Sequence, residues 1–442
     1  MQRKRSLCRT GTLFCLTALV SFSAPIYAGS QMATDNGQAG QNAFTDYTKE
    51  HPGASHLLTP ADLPPPYATP GVDNTPHMVS RPADAWPQAP NGFHVKLYAS
   101  GLDRPRIIRT APNGDLFVSF SYSNKIMVFR GADKDGKPKE ISVFSDSGLT
   151  QPFGIAFYPA GPNPHWVYVG NTDSVMRFPY QSGDLKARGP GEKLTDLPTG
   201  GGHWTRDIAF STDGTKMFVS VGSRSNDDDV DTHPQELHRA DVLEFTPEGK
   251  FIKVYASGIR NCVGETINPA TGQLWCSTNE RDDLGDHLVP DYITHLQEDG
   301  FYGWPWYYMG SHGGVQDPRQ KGKHPELQSK VLTPDVLLEP HFASLEMTFY
   351  EGSQFPAAYK GDAFAAEHGS WNAAHLAGYE IIRVPMHNGH ASGGYEDFLT
   401  GFVTSSGGVW GRPVGVTVAS DGSLFVTDDG SGSIWHVIYD GK

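Results

Sequence analysis

The sequence lacks most of the motifs that announce a chemistry outright. Only four of its 442 residues are cysteine, and no Cys-x-x-Cys-His run is present, so a c-type haem is excluded. There is no P-loop, and no Gly-x-Gly-x-x-Gly follows a strand pattern, which argues against nucleotide and nicotinamide binding. There is no His-Glu-x-x-His; His287, His295 and His312 are scattered and share no ligand spacing. Positive charge is scarce: 35 Lys and Arg stand against 49 Asp and Glu, a net charge of −14. Nucleic acid is therefore an unsuitable partner, since its binding needs phosphate neutralisation. No later run reaches 18 apolar residues, so no membrane span is expected in the mature chain. What the chain does have is turn chemistry, with 50 Gly and 33 Pro, and enough hydrophobic residues (38%) for a sizeable core.

The N-terminus reads as an export signal over residues 1–28. Arg3, Lys4 and Arg5 precede an apolar stretch from Leu13 to Phe22, and Ala28 suits cleavage; an uncleaved anchor is the alternative. Cleavage would remove four positive charges and no acid, taking the net charge from −14 to −18. The expected location is the periplasm or the exterior. Residues 29–90 are Pro-rich and lack apolar periodicity, and read as an extended leader that wraps or tethers the domain. Cys262 and Cys276 flank one strand-turn-strand phrase. In an oxidising compartment they are expected to form a disulfide, the alternative being two separate buried thiols.

From residue 91 to 442 one phrase recurs six times: an apolar run, a turn, a second apolar run and a polar cluster. The phrases are Arg106–Val118, Phe153–Val169, Asp207–Val219, Val263–Trp275, Glu346–Ala365 and Val414–Val426. Each buries one face and needs neighbours, so the expected fold is all-β, a six-bladed β-propeller with long inter-blade loops. Two stacked β domains are the alternative. The excess length between the fourth and fifth phrases places Asp291 to Glu339 in long loops.

In a propeller the starts of the inner strands and the ends of the second strands share one face. Those positions supply Arg106, His203, Arg206, Arg224, Asn226, Arg260, Asn261, Asn279 to Asp283, His368 to Asn372, Arg412, Asp428 and Asp429. Arginine pairs with carboxylate or phosphate through a planar fork, so an acidic protein that gathers arginines at one mouth is suited to a small polyanion. Pairing with the neighbouring acids Asp282, Asp283 and Asp428 is the structural alternative. His203 follows three glycines, and its titration range suits a general base; a purely structural histidine is the commoner alternative for a lone His. The acidic loop Asn279–Asp286 offers hard oxygen ligands for Ca²⁺ or is simply solvated. The aromatic run Phe301–Trp306 walls a pocket or packs.

Taken in order, several phrases resemble the soluble glucose/sorbosone dehydrogenases, closest to the L-sorbosone dehydrogenase branch. They are Gly202-His203, Gly258-Ile259-Arg260-Asn261, Asn279-Glu280-Arg281-Asp282 with Leu284-Gly285-Asp286, Tyr302-Gly303-Trp304-Pro305, Glu367-His368-Gly369-Ser370-Trp371-Asn372 and Gly411-Arg412-Pro413-Val414. The resemblance spans about Phe93 to Ile438. It implies a propeller that holds pyrroloquinoline quinone and Ca²⁺, with His203 taking a hydroxyl proton while a hydride leaves the same carbon. It implies cofactor contacts from Arg106, Arg206, Arg224, Asn226, Arg260, Asn261, Arg281, His368, Trp371 and Arg412. It places Ca²⁺ on carbonyls of Glu280, Arg281 and Asp282, and a second Ca²⁺ at Asp286 and Tyr302. The implied substrate is a sugar, a sugar aldehyde or a polyol, with an unidentified electron acceptor. The family's quinone-contacting Lys has Gly369 or Ser370 in its place here, and a second arginine has Val414. A Ca²⁺-dependent lactone hydrolase and a non-catalytic binding propeller are the competing functions.

Overall fold

The computed structural model describes residues 37–441; the export signal expected at 1–28 lies outside them. Six antiparallel sheets form the body. Their innermost strands are Ile108–Thr110, Ile155–Tyr158, Ile208–Phe210, Asn261–Ile267, Ser344–Phe349 and Pro413–Val418. Each neighbours the next, and the last returns to the first, closing a ring. The second strands (Leu116–Phe120, Trp166–Gly170, Met217–Val221, Leu274–Asn279, Ala363–His368 and Leu424–Asp428) pair with them in hairpin register. The six phrases are thus the inner hairpins of six blades. Most of these second strands are buried on both faces, because one face packs on each neighbouring blade.

The ring is fastened by the chain's own start. Phe93–Ala99 pairs antiparallel with Ser433–Tyr439 as the outer strand of the sixth blade. Its alternation of exposed and buried residues suits an edge position. The expectation for 291–339 needs correction. Pro290–His295 and Val336–Pro340 are the third and fourth strands of the fourth blade; the insertion is only what lies between them. Both strands are buried along nearly their whole length, so no period-2 pattern marks them in the sequence. Cys262 and Cys276 form a disulfide across the inner hairpin of this blade.

The leader adds to the body as backbone. Ser55–Leu57 pairs with Tyr395–Leu399 at the outer edge of the fifth blade, and Gly37–Ala39 pairs with it in turn. Further on, Met78 bridges to Val409 and Gln88 to Thr400. Beneath the leader lies a buried seam between the fourth and fifth blades. Glu367 and Glu380 are directly opposite on adjacent strands, and Asp397 lies opposite Ile382 on the next. Glu339 comes from the fourth blade, and Glu50 and His56 from the leader. His56 pairs with Asp397 at 2.8 Å, Thr45 donates twice to Glu339, and the Gly378 N–H donates to Glu50. Glu380 is fully buried, and neither carboxyl oxygen has a hydrogen-bond partner. Burial, then the Asp397 charge, holds both Glu50 and Glu380 well above the usual carboxylate range. Burial likewise raises Glu339 to about 7. Among the described residues no helix is long and apolar enough to cross a membrane.

Candidate active site

The strand register sets inner-strand starts beside second-strand ends: Asn261 faces Asn279, Ser344 faces Glu367 and Pro413 faces Asp428. His203 lies just before the third inner strand. Its Nδ1 is 2.8 Å from the Ser223 carbonyl and 2.9 Å from Ser223 Oγ. That hydroxyl donates to the Ser225 carbonyl at 2.6 Å, so it has no proton for the ring. Nδ1 therefore carries the hydrogen and Nε2 is the basic nitrogen. Burial, then the Arg260 charge, pushes the imidazole down to about 3, so it is neutral near pH 7. A Cβ on Gly222 would come 2.7 Å from that of His203, so only glycine permits this approach.

Arg260 organises the acidic loop. It donates to the Glu280 carbonyl at 2.6 Å, to both oxygens of Asn226, and to Asp282 at 3.1 Å. Asn226 also accepts from the Asp282 N–H and the Trp304 indole. Burial opposes ionisation of Asp282, but Arg260, His341 and the Asn372 hydrogen bond together outweigh it and hold the carboxyl at about 2. Asn372 donates to the same carboxylate. A second node is Asp429, which binds Arg106 through one oxygen and His368 through the other, at 2.5 and 2.8 Å. Arg412 donates to the carbonyls of His368 and Gly369. Burial, then the Arg412 charge, brings His368 down to about 4.

Not every candidate reaches the mouth. Arg206 is fully buried, and its guanidinium donates to the carbonyls of Pro198, His203 and Thr205. Arg281 is equally buried, on Glu280, Asp317 and two carbonyls. Arg281 is thus spent on folding the loops around it, whereas Arg206 keeps a buried Nε without a partner. Arg260 and Arg106 do pair with neighbouring acids, as the structural alternative required. Arg224 is exposed and Arg412 largely buried, and neither forms an ion pair among the described residues. Trp371 is 45% exposed, and its carbonyl accepts from the leader's Asn74. Asn261 donates to Asn279, while its own carbonyl oxygen is buried without a partner.

Two of the expected calcium carbonyls already accept hydrogen bonds. The Glu280 carbonyl faces Arg260, and the Asp282 carbonyl accepts from Asn226 and Arg319. Asp286 accepts the Ala374 N–H, and the Tyr302 side chain is buried with its hydroxyl on the His295 carbonyl. Among the described residues no three His, Cys, Asp or Glu are grouped to hold a metal ion.

Sequence order puts Asp429 at a strand end but says nothing of its double role. Arg239 gave no signal either: it gathers the carbonyls of Thr199, Gly200, His203, Gly222 and Ser223, and so frames the catalytic candidate. The inner strands also carry Asp207, Glu265 and Glu346, with Arg109 bound to Asp207 at 2.9 Å and to Glu346.

Fold and site together define a six-bladed propeller whose mouth sets a neutral histidine among arginines. The chain belongs to the glucose/sorbosone dehydrogenase family, whose model matches residues 102–438. An uncharacterised Borreliella burgdorferi protein is 26% identical over 366 residues, 80% of this chain and 91% of that one. A Coprinopsis cinerea pyrroloquinoline quinone-dependent pyranose dehydrogenase is 24% identical over 78% of this chain; the match spans only 53% of that protein. The solved quinone-binding domain of a pyranose dehydrogenase from the same fungus shares the fold, with a TM-score of 0.66 and 22% identity over 81% of this chain and 98% of that one. A Trichoderma reesei enzyme of carbohydrate-active family AA12 does so with a TM-score of 0.69 and 18% identity, over 82% of this chain and all of that one.

Proposed function

We propose that this chain is an exported quinoprotein that oxidises a sugar, a sorbosone-like sugar aldehyde or a polyol with pyrroloquinoline quinone. The observation that carries the reading is His203, neutral and with Nε2 unspent, beside arginines that exceed their acidic partners. The cofactor has three carboxylates, and the residues present suit it. Among the described residues Arg224 and Arg412 have no ion-pair partner, Arg106 Nε is buried unpaired, and the Asn261 side-chain oxygen has no donor. Trp371 offers an exposed aromatic face near His368.

When bound, the cofactor supplies a two-electron acceptor for the hydride leaving the substrate carbon. His203 Nε2 takes the proton from the hydroxyl on that carbon. Ser223 holds Nδ1–H and so fixes the ring. An anion in the mouth offsets the Arg260 charge and raises the proton affinity of the imidazole. Arg260 in turn keeps Asp282 ionised, and that carboxylate steadies the imidazolium. No step is routed through Ca²⁺: a divalent cation at the Glu280 and Asp282 carbonyls would stand against the guanidinium groups of Arg260 and Arg319. The lactone-hydrolase alternative draws on ionised carboxylates at the axis; here one Arg109 is shared by Asp207 and Glu346, and burial raises the Asp207 and Glu265 carboxyls above their usual range.

The test is a titration of purified protein with pyrroloquinoline quinone, followed by dye-reduction assays with aldoses, sorbosone and polyols. Saturable binding and substrate-dependent reduction are expected. Absence of both would overturn the proposal, and lactone hydrolysis without the quinone would replace it.

A further inference from the structure

The aromatic run Phe301–Trp306 plays no part in the mechanism above, yet it lines a cavity of about 510 Å³ on the flank of the third blade. Phe301 is placed there because Gly300–Phe301 pairs with the outer strand of that blade. Phe301, Trp304, Trp306, Val230 and Leu237 supply much of its apolar wall. Trp304 is the partition between cavity and mouth. It is 4% exposed and faces the cavity, while its indole N–H donates to the Asn226 carbonyl at 2.8 Å. Asn226 in turn holds Arg260. Arg239 lines the same cavity and reaches through to the His203 carbonyl at 3.0 Å.

Few polar groups in this cavity are available to a ligand. Glu236 is spent on the Arg224 and Ser225 N–H groups and the Ser225 hydroxyl. Arg239 is spent on carbonyls, and Asp299 on Lys253. Asp241, His238, Lys330 and the unpartnered Trp306 indole N–H remain. A sugar needs partners for several hydroxyls, and burying a hydroxyl unpaired is unfavourable. A flat apolar ring bearing two carbonyls needs far fewer.

We infer that this cavity receives a quinone that reoxidises the reduced cofactor, with Asp241 as proton donor to one carbonyl. The inference rests on the quinoprotein reading above. In the exchange the cofactor loses two electrons and two protons, and the protons leave from the mouth. The quinone takes up two electrons, and two protons reach its oxygens, one from Asp241 and one from solvent. Asp241 then recovers its proton from solvent, and the product is a hydroquinone. Burial keeps this carboxyl protonated well above the usual range, opposed only by the Gly258 N–H. Trp304 and Asn226 provide the bonded route between the two sites.

The probe is 1,4-naphthoquinone, titrated into the protein by tryptophan fluorescence quenching. Leu237, 59% exposed at the cavity wall, is replaced in Leu237→Arg to obstruct it. Quinone binding should weaken at least about tenfold, while cofactor binding and the single-turnover reduction of the cofactor by sugar stay at wild-type values. Steady-state turnover with naphthoquinone should fall. In Asp241→Asn, quinone binding should persist and the pH dependence of quinone reduction should flatten. Equal quinone affinity in wild type and Leu237→Arg overturns the inference, as does quenching by glucose in place of naphthoquinone. Failure of the cofactor to bind would instead strike the quinoprotein reading, and the fluorescence titration reads the cavity independently of it.

Discussion

The mouth and the seam between the fourth and fifth blades bury charge in opposite ways. In the mouth two acids hold guanidinium groups: Asp429 holds Arg106, and Asp282 holds Arg260. In the seam Glu50, Glu339, Glu367, Glu380 and Asp397 share a single His56. Paired carboxyls ionise readily and unpaired ones retain protons. The two regions therefore answer pH with opposite signs. On the proposed reading, arginines without an acid partner suit the mouth to an anion, while protonated acids make the seam a neutral clasp on the leader.

The largest expected effect lies in the mouth. His203→Gln should keep cofactor binding and lower kcat by about 10²–10⁴-fold, the range for a general base. Steady-state kinetics at saturating cofactor checks it, and unchanged kcat would leave the histidine structural.

The seam comes next. Folded Glu339 holds its proton to about pH 7, whereas the unfolded chain releases it near 4.5. Its stabilisation is complete below pH 4.5 and is lost as pH rises to about 7. One pKa unit is about 1.4 kcal/mol, so this group alone carries on the order of 3 kcal/mol. Denaturant unfolding at pH 5 and pH 8 should show the loss. Glu380→Gln, which fixes the neutral state, should shrink the difference between the two pH values; an undiminished difference would break the contrast between the regions.

Arg412→Ala should weaken cofactor binding by about 10–100-fold, the loss of a charge-assisted hydrogen bond. Wild-type affinity in an equilibrium titration would remove Arg412 from the receptor. The smallest effect is on the acid side. Asp282 stabilises the fold above pH 3.8, and that contribution is lost as pH falls to about 2. Thermal unfolding of Asp282→Asn should show a weaker fall in Tm below pH 4 than the wild type.

The inner hairpins were legible because an alternating apolar run before and after a Gly turn needs no tertiary information. The third and fourth strands of the fourth blade were not, since burial on both faces erases the alternation. In the site, His203, Arg260 and Arg412 could be picked from their place in the phrase. Arg206 and Arg281 occupy equivalent places yet turn into the loops. A guanidinium goes to whichever carbonyls the fold leaves unsatisfied, and those come from segments far along the chain. Arg239 and the seam acids escaped notice for the same reason: the leader, the fourth blade and the fifth blade are remote in sequence.

By itself, then, the sequence determined the number of blades and the end at which their polar clusters gather, because each phrase has one apolar side to hide and one polar end to leave open. Only the tertiary structure decided which charges are paired. Long side chains reach across blades, and whether a given arginine or glutamate is left over depends on what its neighbours have already bonded.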